Sequence, residues 1–387
     1  MIGVVFWGSV AFIAYTYVGY PIVLTALAAV AGRERNHPLH TPKVTIVVAA
    51  YNEESVIDRK LTELGAMAYP AEMLQVIVAA DGSDDATAEI AAHHEGVEVL
   101  HRPERRGKMA AINRALEWAT GEIVVFSDAN NRLLPDAVAE IVRPFADPTV
   151  GAVTGRKVAT GQSGLGFSEG AYWRYEAHLR RMEDRLGCTV GVNGELFAIR
   201  RELFRPAPGS VVNDDQWLAH QVIKGGHRVS FRPEAVSTEA VSGSAAAEAE
   251  RRSRMVAGQW QVFRRLHREI PWRRPLVAWM LLSHKIFRPL VPFAMIAALT
   301  AAVAAVATGA DGGAFALGNP WGAAALGAQV AFYAAAAMPE LLHRLVGRAG
   351  YLPRFLVDSN AAALRGLWRH FTGGQSAAWE RVPREQA

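Results

Sequence analysis

The sequence predicts an α/β domain with a mostly parallel sheet, flanked on both sides by membrane-spanning and interfacial α-helices. Three observations carry this. From Pro42 to about Ser242, short apolar runs alternate with stretches of helical periodicity, the pattern of a parallel sheet with covering helices. Polar clusters rich in Asp, Asn and Gly follow directly on several of those runs, where sheets of this kind bind ligands. Long apolar segments lie outside that region, and 51% of the 387 residues are hydrophobic against 20% charged.

Met1 to Ala31 is almost uncharged. At ~1.5 Å per residue it can cross a ~30 Å hydrocarbon core. A cleaved signal peptide would want a basic start, and no Lys or Arg precedes Arg33, so residues 1–32 are expected to stay as an anchor. Tyr15, Tyr17 and Tyr20 are placed for an interfacial belt, and Pro21 for a kink.

Residues 42–244 are expected to be one cytoplasmic catalytic domain. Its strands are Val44 to Val48, Leu74 to Val78, Glu122 to Phe126 and Val150 to Val153, with helices at Glu54 to Met67, Ala86 to His94 and Lys108 to Ala119. Residues 245–274 form a basic amphipathic stretch carrying Trp260, Phe263 and Trp272, read as a helix lying in a membrane interface. Residues 275–347 hold two expected spans, Leu276 to Ala307 and Trp321 to Met338. Within residues 348–387, Tyr351 to Leu367 contains Arg354, Asp358, Asn360 and Arg365, and is read as re-entrant or interfacial. The Thr308 to Pro320 loop has no Lys or Arg, whereas the segments beyond both spans carry several. The positive-inside rule then puts that loop outside and the catalytic domain inside, at a cell inner or plasma membrane.

The net charge of +4 is mild and sits beside the apolar segments, so membrane lipid rather than nucleic acid is the expected partner. A lone Cys188 excludes a disulfide framework or a cysteine-rich zinc site, and is expected to be a small buried side chain.

Five clusters carry chemistry. Tyr51-Asn52-Glu53 follows the first strand, and a tyrosine there could stack on a base. Asp81-Gly82-Ser83 follows the second; its carboxylate could accept from a base N–H or a ribose hydroxyl. Arg105-Arg106-Gly107-Lys108 opens a helix, a setting suited to a diphosphate. Asp128 and Asn130, separated by one residue after the third strand, could hold a divalent cation bridging phosphates. Asn213-Asp214-Asp215 opens a further helix, where either Asp could also be a cap. No G-x-G-x-x-G follows the first strand, which disfavours a dinucleotide-binding domain.

The order of these clusters, closed by Arg251-Arg252-Ser253-Arg254, resembles family 2 glycosyltransferases of the GT-A fold from about Pro42 to Arg264. With the flanking spans it resembles the hyaluronan, cellulose and poly-N-acetylglucosamine synthases. The resemblance implies a nucleotide-sugar donor, with Tyr51 on the base, Glu53 near the nucleotide, Asp81 reading uracil and Lys108 facing the diphosphate. It implies Mg or Mn held by Asp128 and Asn130, with Asp128 also contacting the donor. It makes Asp215 the general base and Arg254 the group that neutralises the leaving diphosphate. Asn193-Gly194-Glu195 and Asp214 would line the acceptor site, for a glycan or lipid-linked acceptor. Three departures stand out: Ala80 and Asn130 replace carboxylates, and Met255 replaces an acceptor-stacking Trp that Trp260 or Trp217 could replace in turn. Few spans are available for an export channel, which favours single addition to a lipid-linked acceptor, or an oligomer or export partner. The alternative reading is a catalytically weak sugar-nucleotide-binding subunit.

Overall fold

The computed structural model describes residues 1–160, 164–241, 244–266, 270–309, 316–318 and 320–373. Most of the Thr308 to Pro320 loop, part of the amphipathic stretch, and the basic tail with Arg381 and Arg384 lie outside the described residues.

The chain begins with α1 (Ile2–Ala14) and α2 (Tyr20–Ala31), joined through a π-turn at Tyr15–Gly19 into a 30-residue helix apolar enough to cross a membrane. Pro21 lacks the N–H that would reach the Tyr17 carbonyl, and the Tyr175 hydroxyl donates to that carbonyl instead, at 3.1 Å. The three tyrosines do not form a lipid-facing belt. Tyr20 is fully buried and donates to Glu183 at 2.7 Å, Tyr15 bonds Ser283 at 2.8 Å, and Tyr17 accepts from Asn360 at 3.1 Å. A phenol buried in protein needs a polar partner, and each has one.

There follow β1 (Val44–Ala50), α3 (Glu54–Gly65), β2 (Leu74–Asp81), α4 (Thr87–Ala92), β3 (Val97–Arg102), α5 (Lys108–Trp118), β4 (Ile123–Asp128), β5 (Arg132–Leu133), α6 (Ala137–Val142), β6 (Val150–Thr160), α7 (Gly164–Arg185), β7 (Phe197–Arg200), α8 (Asp214–Lys224) and β8 (Arg228–Ala240). The sheet order is β3-β2-β1-β4-β7-β6-β8-β5. β3, β2, β1 and β4 run parallel, β7 reverses between β4 and β6, β8 lies parallel to β6, and β5 is antiparallel to β8. Of the strands read from the sequence, β1, β2 and β4 lie in the parallel half, which β3 joins, and β6 lies in the mixed half. The unforeseen strands gave weak signals: β3 is only half-buried, β7 is four residues long, and β8 contains Pro233 opposite a bulge at Gly155/Arg156.

β1 is buried along its length because helices cover both faces. One core, with Ile46, Val48, Ile57 and Ile141, lies under α3 and α6. The other joins Val47, Phe126 and Leu218 to Tyr20 and Leu24 of α2 and to Met280 and Leu281. The apolar helices therefore share a core with the domain.

The last helices are α9 (Ala245–Leu266), α10 (Pro275–Leu281), α11 (Val291–Thr308), α12 (Trp321–Ala337), α13 (Pro339–Val346) and α14 (Leu352–Thr372). Pro275–Thr308 is the second helix apolar enough to cross a membrane. α11 packs Ala298, Ala302 and Ala305 with Phe6 of α1, small residues that let helices approach. α12 and the α13–α14 stretch bend by 97° and would amount to a third span only if taken together. α14 crosses α9 at Gly366, where a Cβ would lie 2.4 Å from the Ser253 carbonyl oxygen.

Candidate active site

A cavity of about 1300 Å³ opens at the carboxyl ends of β1 and β4 and runs on to the apolar helices. It is lined by Glu53, Lys108, Asp128, Asn130, Asn193, Gly194, Glu195, Asp214, Asp215 and Arg254, ten of the twelve expected site residues.

Lys108 is the first residue of α5, after Gly107 at φ +92°, and Asp128 is the last of β4. Lys108 Nζ donates to Asp128 Oδ1 at 2.9 Å and lies 3.3 Å from Asp214 Oδ2. Burial works against the ammonium charge, but the two carboxylates outweigh it and hold the pKa above the usual lysine value.

Asp214 and Asp215 open α8. Burial first, and then the charge of Asp214, push the Asp215 carboxyl up to about 6, with Lys108 pulling the other way. Its Oδ1 accepts from the Gln216 N–H at 2.7 Å, and Gly194 lies directly against it. Beside Gly194, the Asn193 N–H donates to Thr154 Oγ1 at 2.9 Å, while its side-chain Nδ2 is buried with no partner. Glu195 pairs with the buried Lys157, which also bonds Glu239. Arg254 presents its guanidinium to the cavity with no hydrogen bond or ion pair among the described residues, and burial pulls its pKa down.

Asn130 Oδ1 is a buried oxygen with no partner, on the same cavity as the Asp128 carboxylate. That pair fits a divalent cation completed by substrate phosphates. No group of three or more His, Cys, Asp or Glu placed to hold a metal occurs among the described residues.

Tyr51 and Asp81 do not line this cavity. The Arg105 guanidinium lies 3.8 Å over the Tyr51 ring. Asp81 is fully buried, and its Oδ2 accepts from the N–H groups of Arg106, at 3.0 Å, and Gly107, at 2.6 Å. Asp81 Oδ1 is buried with no hydrogen-bond partner among the described residues.

Trp217 and Trp260 pack against the core rather than the cavity; the tryptophan lining it is Trp173, with Lys157 4.9 Å from its ring. Helical spacing could not separate these cases, because a Trp on a half-buried face reads alike in core or cavity. Lys60 was also missed: it is buried and donates to Ser127 Oγ and Asn131 Oδ1, each at 2.8 Å, and to the Asn131 carbonyl at 3.1 Å. Cys188 is buried as expected, and burial pushes its thiol pKa up.

Comparisons with known proteins bear on the family and the fold. Residues 45–206 match the family model "Glycosyl transferase family 2". The chain is 34% identical over 161 residues to a beta-monoglucosyldiacylglycerol synthase of Trichormus variabilis, covering 39% of this chain and 34% of that protein. It is 27% identical over 224 residues to an N-acetylglucosaminyltransferase of Sinorhizobium fredii, covering 52% of this chain and 54% of the relative. The chain thus spans between a third and about half the length of these curated relatives. Among solved structures it is similar to the mannosyltransferase PcManGT from Pyrobaculum calidifontis, in complex with GDP-Man and Mn2+, with TM-score 0.74 and 25% identity, covering 97% of this chain and 100% of that one. Residues 45–206 are a family 2 glycosyltransferase domain with the GT-A fold.

Proposed function

We propose that the chain is an inverting glycosyltransferase that moves a sugar from a nucleoside-diphosphate donor to a membrane-associated acceptor, from the cytoplasmic face of a membrane. The observation that carries this is one carboxylate, Asp215, raised to about 6 on the cavity that also holds Lys108, Asp128 and Arg254. A base poised near neutrality beside phosphate-binding cations suits a single displacement at an anomeric carbon. Asp215 takes the proton of the acceptor hydroxyl as its oxygen attacks. The bond between the anomeric carbon and the diphosphate oxygen breaks, and the nucleoside diphosphate leaves with its electron pair. Lys108 and Arg254 offset the charge growing on that oxygen. A divalent cation, Mg or Mn, would be held by Asp128 and Asn130 Oδ1 and would supply Lewis-acid stabilisation of the diphosphate. Asn193 Nδ2 offers an open donor for orienting the acceptor.

The sequence expectation is a UDP-sugar; PcManGT is described with GDP-Man, so both donor classes belong in the test. Purified protein is expected to release UDP or GDP from one of a panel of nucleotide-sugars only with Mg or Mn present, and to do so with inversion. Binding of a nucleotide-sugar without turnover at any metal concentration or acceptor would make the chain a binding subunit instead.

A further inference from the structure

Beyond the donor carboxylates the cavity continues to the apolar helices, where its wall holds Lys285 and Arg288. Both lie at the break between α10 and α11, inside the Pro275–Thr308 helix that is apolar enough to cross a membrane. Ionised side chains in such a segment are costly and face an interior where they have partners or a task.

The Glu176 carboxylate accepts from Arg288 and lies 3.2 Å from His284 Nε2 and 3.6 Å from Arg180. Glu183 is taken up by His284 Nδ1 at 2.6 Å, the Tyr20 hydroxyl at 2.7 Å and the Thr189 hydroxyl at 2.9 Å. Glu176 and Glu183 are thus committed to Arg288, Arg180, His284 and Tyr20, and Asp215 is the further carboxylate on the cavity whose charge Lys285 feels. Among the described residues Lys285 Nζ makes no hydrogen bond and no ion pair. Arg288 Nε and Nη2 are buried without a partner. Lys285 is also close to the reacting end: its Nζ would lie 3.4 Å from a Cβ on Gly191, two residues before Asn193. Further out the lining is mixed: Leu352, Phe355, Leu356 and Ala363 of α14 stand beside Asn360 and Arg252, whose guanidinium lies 4.4 Å over the Phe355 ring.

We propose that Lys285 and Arg288 form an anion subsite that holds the phosphate of an acceptor whose apolar tail runs along α14 toward the bilayer. This deepens the transferase reading above and rests on it: the acceptor is a phosphate-linked lipid. A neutral lipid alcohol would leave the Lys285 ammonium without a hydrogen-bonding anion, the costly state for buried charge. A free inorganic anion would make no use of Leu352, Phe355, Leu356 and Ala363.

The test uses the full chain held in amphipol and calorimetric titration with octyl phosphate, octanol and inorganic phosphate, with UDP and GDP plus Mn2+ titrated separately. Octyl phosphate is expected to bind at least about tenfold tighter than octanol and than inorganic phosphate. Lys285→Met is expected to lose about tenfold toward octyl phosphate, with octanol unchanged. Its nucleotide affinity is expected to change less than about twofold. Lys285→Arg, which keeps the charge, restores octyl phosphate binding. Four results would each overturn the proposal: equal binding of octyl phosphate and octanol, equal binding of octyl and inorganic phosphate, undiminished octyl phosphate binding in Lys285→Met, or a parallel loss of nucleotide, which would assign Lys285 to the donor. Wild-type protein that binds neither nucleotide would count against the transferase reading alone, because the comparison of phosphate with alcohol does not depend on it.

Discussion

The carboxylate of Asp215 lies directly against Gly194: a Cβ at Gly194 would come within 3.3 Å of both Cγ and Oδ2. The side chain proposed as base is therefore positioned by a residue that has none. Asp215→Asn is expected to lower transfer by about 10²–10⁴-fold while nucleotide affinity stays close to wild type, because the amide keeps the shape and cannot take the proton. Gly194→Ala is expected to lower kcat by about tenfold through displacement of the carboxylate. Steady-state kinetics with separate nucleotide titration measures both, and normal turnover in Asp215→Asn removes it from the mechanism.

The pH profile follows from the same residue. A base acts in its ionised form, and Asp215 is raised to about 6, so kcat/KM should fall about tenfold per pH unit below that value and level off above it. Asp214 contributes to the rise through its negative charge. Asp214→Asn should therefore move the acid limb to lower pH. A limb that does not move would show that another group sets it.

Asn130 offers an amide oxygen where a carboxylate would bind a hard cation more tightly. Asn130→Asp is expected to lower the Mn2+ concentration for half-maximal nucleotide binding by about tenfold. Turnover need not follow, since tighter product binding slows release. An unchanged metal requirement would place Asn130 away from the cation.

Lys60 anchors the Asp128–Asn130 turn from below, through Ser127 and Asn131. Lys60→Met removes the donor and leaves buried acceptors unsatisfied, a loss of about 1–3 kcal/mol. The melting temperature should fall, and the Mn2+ requirement should rise because the turn is no longer held. Loss of stability with an unchanged metal requirement would separate Lys60 from the site.

The topology proposed from the distribution of basic residues has the Thr308 to Pro320 loop outside and the end of α14 inside. With Cys188 replaced by Ser, Ala316→Cys is expected to react with an impermeant thiol reagent in intact cells, and Thr372→Cys to be protected. Labelling at both positions would mean that the bent α12–α14 unit does not return the chain to the inside.

Three strands of the parallel half, β1, β2 and β4, were legible because they are largely apolar runs ending in polar clusters. The residues after those runs were legible as site candidates for the same reason. Local pattern carries such information where a strand is buried on both faces and its end is not. β7 and β8 were not legible, since a strand of four residues and one interrupted by Pro233 lack a clear period.

By itself the sequence determined the fold class, the apolar helices and which polar clusters end the strands. Only the tertiary structure decided which of them stay open to a ligand. Asp81 was a candidate for reading a base; its Oδ2 is taken by the N–H groups of Arg106 and Gly107, while Oδ1 is buried with no hydrogen-bond partner among the described residues. Lys285 was one charge near the start of an apolar run, and it becomes a cation with unused donors because Glu176 and Glu183, about a hundred residues earlier, are already taken by Arg288, His284 and Tyr20. A side chain's partners are set by packing between distant segments, and no local period records which hydrogen bonds are already made.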